Sequence, residues 1–241
     1  MDQKELISIG EAADILEVSP DTLRRWDKAG KLTPTRSESG YRMYSRSQIE
    51  IYMNDLFLLA DEWASLNEAS DVPNKFYCQN SAAFQTKVIG MQEILAKIDG
   101  LENLFPLIGA VVGEIGNNSF DHNLGNWPDI PGIFFGYDTQ KRIIVLADRG
   151  RGILATLKRV RPTLTTHQEA LRVAFTEIIS GRAPEERGNG LKFVREVITK
   201  NPMGLSFKTG DASLELSKDG DALNIEISPK PIRGCLALIK F

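Results

Sequence analysis

The sequence predicts an α+β protein in two parts: an N-terminal winged helix-turn-helix, then a C-terminal α/β sandwich built on a mixed sheet. Three observations carry this. Two short helical stretches joined by a tight turn are followed by short β-rich runs around a Gly turn. Further on, two apolar runs, GIFFGYD and RIIVLAD, lie among helical segments. Charge is also uneven: the 241 residues hold 29 Lys plus Arg against 32 Asp plus Glu, yet Arg24 to Arg46 contains seven basic and two acidic residues. That stretch is net +5 and the rest is net −8. A basic head on an acidic body points to a small DNA-binding module attached to something else.

Residues 8–17 read as a helix, with Ala12, Ile15 and Leu16 at helical spacing and Ser8 as N-cap. Ser19 followed by Pro20 starts a second helix, because the hydroxyl accepts from an unpaired N–H and Pro presets φ. That helix runs through DTLRRWDKA and stops at Gly30, and KLTPTRSESGYRMYS reads as a β-hairpin wing. Residues 6–55 resemble the MerR family of winged-helix regulators, on IGEAADILEVSPDTLRRWDKAGKL followed by GYRMYS and a new helix. The resemblance implies double-stranded DNA as partner. Arg24, Arg25, Arg42 and Tyr44 are expected on the phosphate backbone and Thr22 and Arg36 nearer to bases. Trp26 and Tyr41 either pack the small core or touch DNA.

After Ser45, the positions Ile49, Tyr52, Leu56, Leu59, Trp63 and Leu66 recur at intervals of three and four. This seam suits either a core-facing amphipathic helix or a dimer coiled coil. MerR-type proteins dimerise through a helix in this place, so the resemblance implies a homodimer. Residues 1–66 are then one domain, 67–80 a polar linker and 81–241 the second domain. In the second domain, 81–99 and 101–123 read as helices, 132–138 and 142–148 as adjacent strands, and 166–180 and the residues after Gly190 as helices. Three or four strands follow through LALIKF.

The helix GAVVGEIGNNSFDHN places Glu114, Asn117, Asn118 and Asp121 at i, i+3, i+4 and i+7, on one face. Carboxylate and amide oxygens of this kind suit a hydrated Mg²⁺ whose remaining ligands are phosphates and water. The strand VLAD ends in Asp148 and gives D-x-G-x-G with Gly150 and Gly152, where a carboxylate can accept from an exocyclic amine. Gly188 and Gly190 stand just before a helix start that favours phosphate. These three elements, in this order, resemble the GHKL superfamily of ATPases (gyrase, chaperone, histidine-kinase and MutL group, Bergerat fold) over residues 80–241. The resemblance implies ATP and Mg²⁺ as cofactors. It makes Glu114 the general base, Asn118 the Mg²⁺ ligand, Asn117 and Asp121 flanking positions of the same motif, and Asp148 the adenine-recognising residue. Gly150, Gly152, Gly188 and Gly190 become the two glycine boxes, and 153–187, with Ser180, Gly181 and Arg182, the lid over the phosphates.

The chain departs from some members. Its only histidines are His122 and His167, neither on an upstream dimerisation helix, which excludes a sensor histidine kinase. Glu114, Asn118 and His122 have a spacing similar to the anti-sigma serine-kinase branch. Cys235 stands where many relatives place Thr. Cys78 and Cys235 lack metal or disulfide spacing and read as small buried hydrophobes. No stretch approaches membrane-span length and the N-terminus lacks a signal-peptide layout, so a cytoplasmic location is expected. The expected function is an ATP-binding, ATP-hydrolysing DNA-binding regulator in which nucleotide state controls DNA or partner binding. The partner would be a protein encoded nearby. The alternatives are an anti-sigma-type serine/threonine kinase with a DNA-tethering domain, and a catalytically idle nucleotide sensor.

Overall fold

The computed structural model describes residues 6–65, 71–178, 189–220 and 222–241. The N-terminal part consists of β1 (Leu6–Ser8), α1 (Ile9–Leu16), α2 (Pro20–Lys28), β2 (Thr35–Arg36), β3 (Arg42–Ser45), α3 (Arg46–Asn54) and α4 (Leu56–Trp63). α1 is fixed by a capping box: Ser8 Oγ accepts from the Glu11 N–H at 3.2 Å, and Glu11 Oε2 accepts from the Ser8 N–H at 2.8 Å. α2 begins as its sequence requires, with Ser19 capping the Thr22 N–H at 3.1 Å and Pro20 in the first turn. β3 is the centre of a three-stranded sheet ordered β1-β3-β2, so the wing gains a strand that the sequence pattern did not announce.

One helix was expected across 46–66, but the chain forms two. At Asp55 the backbone turns (φ −95°, ψ 77°) and the carboxylate caps the Leu58 N–H at 3.0 Å. The seam residues are used up inside the chain. Ile49 and Tyr52 close the helix-turn-helix core, while Leu56, Leu59 and Trp63 on α4 meet Phe134, Val145, Ala147 and Leu236 of the C-terminal sheet. These positions therefore do not form a dimer coiled coil; Leu66 lies outside the described residues.

A short 3₁₀ turn (Asn74–Phe76) leads into β4 (Tyr77–Cys78), followed by α5 (Ser81–Leu95), α6 (Phe105–Asn123), β5 (Ile133–Asp138) and β6 (Ile143–Asp148). Then come α7 (Gly152–Leu157), α8 (His167–Thr176), α9 (Gly190–Lys200), β7 (Gly204–Ser217) and β8 (Asn224–Lys240). The sheet order is β4-β5-β6-β8-β7 and every neighbouring pair is antiparallel, which corrects the mixed sheet expected from sequence. The helical crossover α7–α9 does return the chain in the direction of β6. However, β7 lands one position away, and β8 fills the gap antiparallel to both.

Side chains alternate across this sheet, as extended backbone dictates. Ile133, Phe135, Ile144, Leu146, Phe207, Ala237 and Ile239 point into the core under α5, α6, α8 and α9. Phe134, Val145, Ala147 and Leu236 point the other way, under α4. The molecule is thus three-layered, and the second core belongs jointly to the helix-turn-helix part and the sheet.

Candidate functional site

Two sequence-predicted elements, the α9 start and the end of β6, converge on the third, α6. Its Glu114 and Asn118 face the first turn of α9. A Cβ placed on Gly190 would lie 2.5 Å from Glu114 Oε2 and 3.3 Å from Asn118 Nδ2, so any larger residue there would displace the Glu114 carboxylate. The free N–H groups of that first turn are therefore next to the acid and the amide. Asn117 turns elsewhere: its Oδ1 accepts from Gln85 Nε2 on α5 at 2.8 Å. Asp121 is exposed near the end of α6. Gly188, together with Ser180, Gly181 and Arg182 of the expected lid, lies outside the described residues. The described part of 153–187 folds as α7 and α8.

Asp148, at the end of β6, is 2% exposed. Its Oδ2 accepts from Ser119 Oγ of α6 at 2.7 Å and its Oδ1 from the Gly150 N–H at 2.8 Å. Burial pushes its pKa up to about 6, against the lowering effect of the Ser119, Gly150 and Cys235 hydrogen bonds. The carboxylate is thus enclosed between α6 and the glycine turn, accepting from Ser119, Gly150 and the Cys235 backbone.

The two glycines after it do different jobs. Gly152 has φ +72°, and a Cβ there would lie 3.0 Å from Thr209 Oγ1. Gly150 has no such φ; a Cβ there would overlap the Asn123 amide. Asn123 is 4% exposed, accepts from the Arg151 N–H at 2.9 Å and donates to the Ser119 carbonyl at 2.8 Å, tying the turn to α6. Thr209 Oγ1 donates to the Gly234 carbonyl at 2.9 Å and accepts from the Ile153 N–H at 3.2 Å. It sits opposite Cys235 in the β7–β8 register. Ser119, Asn123 and Thr209 escaped the sequence reading because each matters through a partner far away in the chain. Ser119 alone had a usable signal, one residue after Asn118.

Arg149, read in sequence as a mere spacer in D-x-G-x-G, is 0% exposed. It donates to the Trp63 carbonyl, to the Ser65 carbonyl at 2.6 Å and to Asp129 Oδ2 at 2.7 Å. Thus the residue after Asp148 holds the C-terminal end of α4. His167 pairs through Nδ1 with Asp211 at 2.8 Å.

On the helix-turn-helix, the predicted DNA residues divide. Arg24 pairs with Asp21 on its own helix. Arg36 and Arg42 approach Asp27 at 3.5 and 2.8 Å, and Arg25 pairs with Asp71 at 2.6 Å. Arg24, Arg25 and Arg36 keep about half or more of their side chains exposed. Two expectations fail. Tyr44 is 1% exposed, with its hydroxyl directed at the Leu23 carbonyl at 3.4 Å, so it is core and not a backbone contact. Thr22 is fully buried and hydrogen-bonded to Ser19 and Asp71, which leaves no hydroxyl for a base. Conversely, Trp26 packs on Tyr52 in the core, while Tyr41 at the wing is 73% exposed.

Among the described residues, no group of three or more His, Cys, Asp or Glu could hold a metal ion. An amide and a carboxylate at Asn118 and Glu114 fit Mg²⁺ only if phosphate and water complete its shell. Nor is any described helix long and apolar enough to cross a membrane.

The model of the MerR family regulatory protein matches residues 8–44, so this segment is a MerR-type DNA-binding unit. The chain is 30% identical over 106 residues to the transcriptional regulator BrlR of Pseudomonas aeruginosa, covering 39% of each. It is 44% identical over 69 residues to the type II methyltransferase M.Eco47II of Escherichia coli, covering 28% of this chain and 16% of the other. The chain thus spans well under half the length of either curated relative. The crystal structure of the 43K ATPase domain of Thermus thermophilus gyrase B, in complex with an aminocoumarin, is similar with TM-score 0.34 and 16% identity, over 61% of this chain and 39% of that one.

Proposed function

We propose that this protein is a DNA-binding regulator whose C-terminal part binds ATP with Mg²⁺ in the manner of the GHKL superfamily, nucleotide state controlling its hold on DNA. The observation that carries the reading is the convergence on α6: Gly190 against Glu114 and Asn118, and Asp148 against Ser119 of the same helix. Adenine would give its exocyclic amine to Asp148. The phosphates would lie toward the free N–H groups of α9, and Glu114 would take a proton from an attacking water. Asn118 would contribute an oxygen to Mg²⁺, which when bound supplies neutralisation of phosphate charge. Asp121 would flank that cluster, and Asn117, committed to Gln85, would fix α6 against α5.

DNA would meet the exposed faces of Arg24, Arg25 and Arg36, with Arg42 close behind, through phosphate contacts that orient the recognition helix α2. The reading includes a homodimer, formed on a surface other than the buried α4 seam, and a cytoplasmic location. Calorimetry of ATP·Mg²⁺ on the wild type and Asp148→Asn tests the nucleotide half. A marked loss in the variant is expected, and full retention of adenine nucleotide affinity overturns the assignment.

The spacing of Glu114, Asn118 and His122 supports a second reading: phosphotransfer from ATP to a serine of a partner protein encoded nearby, the helix-turn-helix serving as a tether. Phosphate release with ATP alone, compared with label transfer to the neighbouring gene product, separates the two.

A further inference from the structure

Each predicted DNA-contacting arginine is paired with a carboxylate of this chain. For Arg24, Arg36 and Arg42 the partner, Asp21 or Asp27, lies on α2 itself. For Arg25 it does not. Asp71 stands 46 residues further on, ahead of the 3₁₀ turn that leads into the C-terminal sheet, and its Oδ2 accepts both from Arg25 Nη2 at 2.6 Å and from the Thr22 hydroxyl. Arg25 Nη2 also reaches Thr22 Oγ1 at 3.2 Å, so the three groups close a ring on the first turns of the recognition helix. Four residues later the Lys75 N–H donates to Glu17 Oε2 at 3.3 Å, at the turn between α1 and α2. Residues 71–75 are therefore fastened across the helix-turn-helix.

A carboxylate oxygen on an arginine Nη and a hydroxyl makes the contacts that a phosphate oxygen makes, because both anions take the same charge-assisted donors. The pair is at the surface: the Arg25 and Asp71 side chains are 61% and 51% exposed, so an approaching anion can compete for the guanidinium. We propose that Asp71 is an internal stand-in for a DNA phosphate, which occupies Arg25 in the DNA-free chain and has to be displaced when α2 engages a duplex. The carboxylate belongs to the segment that joins α4 to the sheet, so its position depends on how the C-terminal part is held, which α2 alone cannot set. The inference rests on the reading of α2 as the DNA-facing helix.

The test is equilibrium binding of the full chain to a fluorescent 25-base-pair duplex of arbitrary sequence, by anisotropy at several salt concentrations. The variants are Asp71→Asn, Arg25→Ala and the double variant. An exposed ion pair of this kind is worth about two- to five-fold in an equilibrium constant, so Asp71→Asn is expected to bind tighter by about that factor. Its salt slope should stay as in the wild type, because Arg25 reaches a phosphate in both complexes once Asp71 is displaced, whereas Arg25→Ala should lower the slope by about one. In the Arg25→Ala background the gain should vanish. A gain that persists undiminished without Arg25 reflects net charge alone and overturns the proposal, as does wild-type binding with no gain in Asp71→Asn. Absence of binding by both the wild type and Asp71→Asn at low salt overturns the DNA-binding reading itself.

Discussion

Asp148 and Arg149 are neighbours in the chain, yet their side chains leave opposite faces of the sheet: the carboxylate meets Ser119 of α6, and the guanidinium meets the carbonyls of Trp63 and Ser65 at the end of α4. Period-two alternation at the end of one strand therefore places the candidate adenine acceptor and the anchor of the DNA-binding unit back to back. Were a base to bind at Asp148, a shift of the β6 terminus would reach α4 through Arg149 with no intermediate element. This gives the proposed coupling a physical route.

Arg149→Met should be strongly destabilising. The charge is fully buried, and its removal leaves the Trp63 and Ser65 carbonyls without their donor, at about 1–3 kcal/mol for each, while Asp129 keeps the Ile130 N–H and Arg233. Urea unfolding measures it; a change under 1 kcal/mol would show that the buried guanidinium is not what holds α4.

Trp63→Ala should cost about 3–5 kcal/mol through the cavity left between α4 and the sheet. The particle mass from light scattering should stay as in the wild type. A halved mass would mean that the seam joins two chains after all.

How much of this was legible in the sequence depends on the range of the interaction. The Ser19-Pro20 start of α2, the strand pair ending in Asp148 and the site residues Glu114, Asn118 and Gly190 are local signals, and the fold brings them together. Tyr44 and Thr22 misled because polar residues on a short basic segment look exposed, whereas each finds a partner inside the fold. Apolar seam spacing could not say whether the opposing surface was a second chain or a sheet 70 to 180 residues away. Arg149 had no local signal, since its partners at Trp63 and Ser65 are more than 80 residues distant.

The Asp148 carboxyl gives a pH signature. With a folded pKa of about 6 against an ordinary 3.8, the folded state holds the proton more tightly than the unfolded one. The burial penalty is therefore absent below pH 3.8, grows between 3.8 and 6, and is complete above, at about 3 kcal/mol. Asp148→Asn, which keeps the shape and removes the charge, should gain on the wild type from pH 4 to pH 7 and then level off. Denaturant midpoints across that range check it. A difference independent of pH would show that Asp148 ionises without strain.

Gly190→Ala should act on Glu114. The added methyl would sit 2.5 Å from Oε2 and push the carboxylate away. ATP turnover is then expected to fall by about 10²-fold or more, the range of general-base assistance, with a much smaller change in nucleotide affinity. Phosphate release beside calorimetry distinguishes this from equal losses in both, which would place Gly190 in binding alone.

In the proposed function, nucleotide and DNA are read by one coupled molecule. Linkage requires the effect to be reciprocal, so a non-hydrolysable ATP analogue with Mg²⁺ is titrated into the full chain with and without saturating duplex DNA, at one salt concentration. Dissociation constants are expected to differ by about 5- to 150-fold, with a marked loss of nucleotide affinity in Asp148→Asn under either condition. Equal nucleotide affinities with and without DNA would contradict it and leave two independent modules on one chain.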